Sequence, residues 1–241
     1  MINFGWTVGE LVRRVSGKSL GTFFREEVAD KTGARFWLGL PETEDVHIAP
    51  IIPYAPKPDD VPTEFAIKLV TEPESIQHKS FMNNGGWDFN NRKSQAAEIG
   101  GGGGLSNARG QVAMYTPLAT DDGTLVSSDR LKAMSMVTTA TQRDATLLVP
   151  TRFGPGFMKS MDNRALNLGP GTSVIMGEQA FGHVGAGGSI GFADPEAGLA
   201  FSYTMNQMGS GILVNDRAQS LIDAAYRALG YRTNAPGVWV K

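Results

Sequence analysis

No cysteine occurs among the 241 residues. Disulfides, thiol nucleophiles and zinc–thiolate centres are therefore excluded, and the absence fits a cytoplasmic protein. No run of 18 or more apolar residues is present, so nothing reads as a membrane-spanning helix. The opening stretch, Met1 to Glu10, lacks the basic region and apolar core of a signal peptide. An excess of one charge is also missing. Lys and Arg number 22 against 24 Asp and Glu, a formal net charge of −2, which gives no electrostatic reason to expect nucleic acid or an anionic membrane as partner. Histidine is scarce: His47, His78 and His183 are the three. None stands at metal-ligand spacing from another, and no His-Glu-x-x-His occurs. No cofactor is implied.

What the chain has in quantity is glycine, 30 residues, in clusters. Gly100 to Gly104 is an unbroken run. A phosphate-binding loop would end in Gly-Lys-Ser/Thr so that the lysine reaches the phosphates. Here the run continues into Leu105-Ser106-Asn107, so it reads as a loop whose backbone passes close to another part of the chain. The second cluster, Gly185, Gly187 and Gly188, follows His183 beside a predicted strand, where glycines would open a strand edge to a ligand.

The periodicities place helices first and strands last. Val8, Leu11, Val12 and Val15 share one helical face before Gly17. A second helix fits Ser19 to Lys31, with Gly33 beyond it. Six prolines in residues 34–62 predict an irregular connection. Short helices follow over Glu64 to Val70 and, capped by Ser106-Asn107, over Ala108 to about Ala119; Ser128 caps another. Leu147-Leu148-Val149 and Phe153 to Met158 read as strand segments. Gly188 to Ala193 and Leu199 to Met205 flank Asp194-Pro195-Glu196-Ala197-Gly198 as a hairpin. A helix over Asn215 to Leu229, stopped by Gly230, closes the chain. The fold class expected is α+β, an antiparallel sheet flanked by helices, with residues 1–144 mostly helix and loop and 145–241 carrying the strands and the last helix. His47 and His78, in polar or proline-rich segments, read as surface residues.

Several segments, in order, resemble one family. Phe181 to Gly209, containing His183-Val184-Gly185, is similar to the third active-site motif and following hairpin of the serine β-lactamase-related esterases, relatives of class C β-lactamases and penicillin-binding proteins. Trp6 to Leu20 resembles the helix pair after that family's second motif. Glu98 to Gly110 resembles its glycine-rich loop and helix, and Arg152 to Phe157 the strand before the third motif. The resemblance implies a β-lactamase/transpeptidase-like fold over residues 1–241. It also implies hydrolysis of small esters or lactams through an acyl-enzyme formed on the serine of Ser-x-x-Lys.

No serine here has a lysine three residues on, and the family's tyrosine would fall at or before Met1. The resemblance therefore implies an N-terminally incomplete domain. Within it, His183 and Gly185 line the substrate groove and the Ala186 N–H is one oxyanion donor. Such a chain is expected to be inactive alone, to persist as a ligand-binding remnant, or to need an N-terminal partner chain. The family's sheet takes further strands from the missing part. Leu199 to Met205 is accordingly expected at an exposed edge, open to self-association.

Overall fold

The structure, a computed structural model, describes residues 3–241; the tyrosine expected at or before Met1 lies outside them. Its first helix, α1, spans Asn3–Ser16. The apolar stripe read from the sequence does not face the core. Leu11 and Val15 are 61% and 81% exposed. The packed side is the glycine side: a Cβ on Gly5 would lie 2.0 Å from Gly101 N, and one on Gly9 would lie 3.2 Å from Leu20 Cδ2. The five-glycine run thus passes against a helix whose own glycines permit the close approach.

Ser19 caps the next helix, accepting from Thr22 N. The single helix expected there is three pieces: α2 (Leu20–Phe24), a π-helical turn (Arg25–Ala29) and α3 (Asp30–Thr32), ended by Gly33 in the left-handed region at φ +66°. Strand β1 (Phe36–Leu38) pairs antiparallel with β2 (Gly104–Ser106). Neither was visible in the sequence. Between them lie a 3₁₀ turn (Glu42–His47), the proline-rich connection, and helices α4 (Glu64–Thr71), α5 (Ile76–Met82) and α6 (Arg92–Ala96). His78 is not a free surface residue. It is half-buried, with Nδ1 2.9 Å from the Leu69 carbonyl.

Helix α7 (Ala108–Thr120) starts at Asn107, whose Oδ1 accepts from Gly110 N. Helix α8 (Ser128–Ser135) is capped by Ser127 rather than Ser128. Strands β3 (Thr139–Thr141) and β4 (Thr151–Phe153) form a pair. Met158 bridges Phe153 on one side and Gly182 on the other, which joins this pair to the main sheet. The main sheet has the order β5 (Phe181–Val184), β6 (Ile190–Asp194), β7 (Leu199–Tyr203), antiparallel throughout. Helix α9 (Asp216–Ala228) closes the fold.

Two sequence readings need correction here. Leu147-Leu148-Val149 is a turn: the Asp144 carboxylate accepts from Thr146 N and Leu147 N, and Leu148 has φ +62°. Phe153 to Met158 is not one strand, because it turns at Gly154–Gly156, with Gly154 N donating to Phe157 O.

The sheet separates two apolar layers. On one face Phe181 and Ala193 meet Tyr115 and Leu118 of α7. On the other, Ile190 and Phe192 meet Ala218, Ile222 and Tyr226 of α9. The strict alternation of a strand assigns these faces. Tyr226 ties helix to sheet: its hydroxyl donates to Asp194 Oδ2 over 2.6 Å and accepts from Gly177 N over 2.8 Å. Its ring stacks between Phe192 and Trp239. Burial, with Asp194 alongside, holds the Tyr226 hydroxyl protonated well above its ordinary range. Among the described residues no helix is long and apolar enough to cross a membrane.

Candidate active site

His183 sits on β5 opposite Gly191 of β6. By strand alternation its side chain is on the α7 face, where it is exposed. Gly191 leaves room there for α7: a Cβ at that position would lie 2.7 Å from Tyr115 Cε2 and 2.9 Å from Gln111 Cδ. Gln111 in turn accepts a hydrogen bond from the Ser202 hydroxyl of β7. The floor beside His183 is therefore polar and closely packed, although sequence reasoning singled out neither Gln111 nor Ser202.

His183 Nδ1 lies 2.7 Å from the Val184 carbonyl. A carbonyl only accepts, so Nδ1 is the donor in this contact. Gly182 bonds through both N–H and C=O to Met158, away from β6. By alternation Val184 faces the same way, and past Met158 this edge of β5 has no strand partner among the described residues.

Beyond Val184 the chain makes a tight turn. Gly185 N donates to Ser189 O and Gly188 N to Gly185 O, with Gly187 at φ +83°, the left-handed third position of a type II turn. Ala186 occupies the second position and is exposed. Its N–H has no partner among the described residues. The three residues expected at the site are thus adjacent: His183 at the strand end, Gly185 at the turn entry, Ala186 at its tip.

The turn is fixed from behind. Asn215, the cap residue of α9, donates from Nδ2 to Gly187 O over 2.9 Å, and Gly209 N donates to the same carbonyl over 2.9 Å. Gly188 and Gly209 pack so close to the Asn215 amide that a Cβ on either would lie 2.2 or 2.3 Å from Nδ2. In the sequence Asn215 shows only as a helix start; its second role depends on a contact across 28 residues.

The sequence was read as lacking a Gly-x-Ser-x-Gly elbow, yet Gly187-Gly188-Ser189-Ile190-Gly191 spells that pattern. The nucleophile elbow of that motif is a strand-to-helix turn. Here the segment is the entry to β6 from a β-hairpin turn, and no hydrogen bond joins Ser189 Oγ to His183 among the described residues. Among the described residues no group of three or more His, Asp or Glu could hold a metal ion.

Comparison with known proteins bears on the family and the fold. The family model described as Beta-lactamase matches residues 1–226. The chain is 30% identical over 231 residues to the esterase/beta-lactamase LipL of Mycobacterium tuberculosis (strain ATCC 25618 / H37Rv), covering 90% of this chain and 50% of that protein. Its structure is similar to that of EstA from Arthrobacter nitroguajacolicus Rue61a, with TM-score 0.73 and 27% identity, over 94% of this chain and 58% of that one. A family VIII carboxylesterase aligns with TM-score 0.64 and 35% identity, over 91% and 55% of the two chains. The chain therefore spans about half the length of the curated relative it matches. With the family model matching nearly its whole length and the fold shared with these structures, the chain belongs to the beta-lactamase family.

Proposed function

We propose that these 241 residues carry the oxyanion-side portion of a serine carboxylesterase that hydrolyses small esters through an acyl-enzyme. The observation that carries the reading is the Ala186 N–H, without a partner among the described residues, on an exposed residue at the tip of a turn pinned by Asn215 and Gly209, next to His183. A backbone N–H held in place in this way stabilises the oxyanion that develops in acyl transfer, and loss of one such donor costs ~2.7–4 kcal/mol of transition-state stabilisation. His183 and Gly185 line the groove. The nucleophilic serine, its lysine and the tyrosine come from a segment outside these residues, since no Ser-x-x-Lys is present. Lactams are the less favoured substrates. The carboxylesterase name of one relative supports this choice, while LipL is named for both activities.

Alone, the chain does not turn over p-nitrophenyl butyrate and takes no fluorophosphonate label. Intact-mass analysis after treatment with a fluorophosphonate probe tests this. An adduct mapped to one serine, Ser189 above all, would show that a nucleophile is assembled within the chain and would replace this reading. A second reading, a fragment completed by a partner chain, rests on the open edge of β5 beside Ala186. It requires that hydrolysis appear only when a polypeptide bearing Ser-x-x-Lys and the tyrosine is added, and disappear in His183→Ala.

A further inference from the structure

The loop that leaves β7 folds back over the Ala186 turn. A Cβ built on Gly187 would lie 2.7 Å from Met208 Cβ, 2.8 Å from Met208 Cγ and 2.9 Å from Met205 Cε. Glycine at 187 therefore does more than supply the positive φ: it lets two methionine side chains lie directly on the turn, one residue from the free N–H. Both methionines are partly exposed.

Their backbone is held in place. Gly209 N donates to Gly187 O, Met208 N to Ile52 O and Ile52 N to Asn206 O. The neighbouring Ile51 is clasped by Asn90, which accepts from Ile51 N and donates to Ile51 O. The proline-rich segment thus acts as a brace that fixes residues 206–208 against the turn, leaving the flexible thioether side chains to adapt. Methionine is suited to this task, because its three rotatable bonds and polarizable sulfur fit apolar groups of varied shape.

We propose that Met205 and Met208 form the acyl-chain subsite of the groove, so that the preferred substrates are esters of straight aliphatic acids of medium length. The inference rests on the oxyanion reading of Ala186, because the subsite is defined by its distance from that N–H. A carbonyl oxygen accepting from Ala186 leaves its alkyl chain beside Gly187, where the two side chains lie. Full burial of a methylene is worth about 0.8 kcal/mol, roughly fourfold in affinity; a half-open shelf yields about two- to threefold per methylene.

The test uses straight-chain primary amides, neutral and stable isosteres of the ester, from acetamide to octanamide. Binding is followed by NMR at the Ala186 amide and at ¹³C-labelled methionine methyls. The expected result is a shift of the Ala186 amide together with the Met205 and Met208 methyls, affinity rising about two- to threefold per carbon from butanamide to octanamide. In Met208→Gln that slope should flatten. Shifts at Ala186 alone, with affinity independent of chain length, would overturn the subsite and leave the oxyanion reading standing. No shift at Ala186 with any amide would overturn both.

Discussion

The side-chain amide of Asn215 donates to the Gly187 carbonyl over 2.9 Å, while its carbonyl oxygen accepts from Ala218 N at the start of α9. One residue thus caps the last helix and positions the turn that carries the free Ala186 N–H. The two roles separate chemically. Asn215→Asp retains an acceptor for the cap but removes the donor to Gly187. It is expected to leave most of the global stability and to raise amide exchange at Gly187 and Gly188 selectively. Asn215→Ala loses both, and chemical denaturation should show about 1–2 kcal/mol less stability, the usual worth of a cap. Equal exchange at the turn in Asn215→Asp and the unaltered chain would show that the hydrogen bond does not hold the turn.

Two glycines flanking His183 should respond differently to alanine. A Cβ at Gly182 would lie 2.1 Å from the Gly191 carbonyl and 2.6 Å from Phe192 Cα, both backbone. Strand β6 cannot withdraw without breaking its ladder, so Gly182→Ala should cost about 3 kcal/mol or abolish folding, as overpacking against fixed atoms does. A Cβ at Gly185 meets the Ser189 hydroxyl at 2.2 Å, and a hydroxyl can rotate away. Gly185→Ala should cost about 1 kcal/mol or less. Urea melts of the two variants decide the matter, and a Gly185 variant as unstable as the Gly182 variant would contradict it.

Strand β7 is the last strand of its sheet. Given the bonded pair Gly185–Ser189 and the register of β5, β6 and β7, alternation directs the N–H and C=O of Ala200 and Ser202 outward, away from β6. Neither has a backbone partner there among the described residues. We propose that copies of the chain pair through this edge, and sedimentation velocity should show association that grows with concentration. Ala200→Pro removes an outward N–H without touching the ladder to β6, a substitution edge strands accept, and should return the protein to the monomer. Association unchanged in that variant would point to another surface, such as the exposed Leu11 and Val15 of α1.

Local signals carried much of the fold. Helices were read as starting at Ser19, after Ser106-Asn107 and at Asn215, and in the structure Ser19, Asn107 and Asn215 each cap one by accepting from a backbone N–H three residues on. The hairpin around Asp194 to Gly198 was legible for the same reason, since its turn chemistry is local. Features set by distant contacts were not. Leu147-Leu148-Val149 is as apolar as a strand, and only the Asp144 carboxylate turns it; a short apolar run does not declare its geometry. The face of α1 was misassigned because its stripe of large residues looked like a core face, whereas glycines make the contact. His183, Gly185 and Ala186 were singled out only through their resemblance to a motif. Asn215, Gln111 and Met208, which pack around the same strand end and turn, lie on three other segments, and only folding brings them there.

Lys159 supplies a pH-dependent test of the core. Its side chain is 1% exposed, and Nζ has no hydrogen-bond partner among the described residues. Burial lowers its pKa from 10.5 to about 8, the nearby Glu178 and Asp194 carboxylates opposing that fall and Arg152 adding to it. A base whose folded pKa lies below its unfolded value makes the unfolded state bind more protons between the two. Stability therefore rises as pH climbs from about 8 towards 10.5. Below pH 8 the full cost of the buried charge is present, on the order of 3 kcal/mol at about 1.4 kcal/mol per pKa unit. Lys159→Met keeps the length of the side chain and removes the charge. It should stabilise the protein at pH 7 by about 1–3 kcal/mol, since replacing a poorly paired buried ion with an apolar side chain of similar volume is often favourable. Its advantage over the unaltered chain should shrink as pH approaches 10. A pH-independent difference between the two proteins in chemical denaturation would show that Lys159 keeps an ordinary pKa in the folded state.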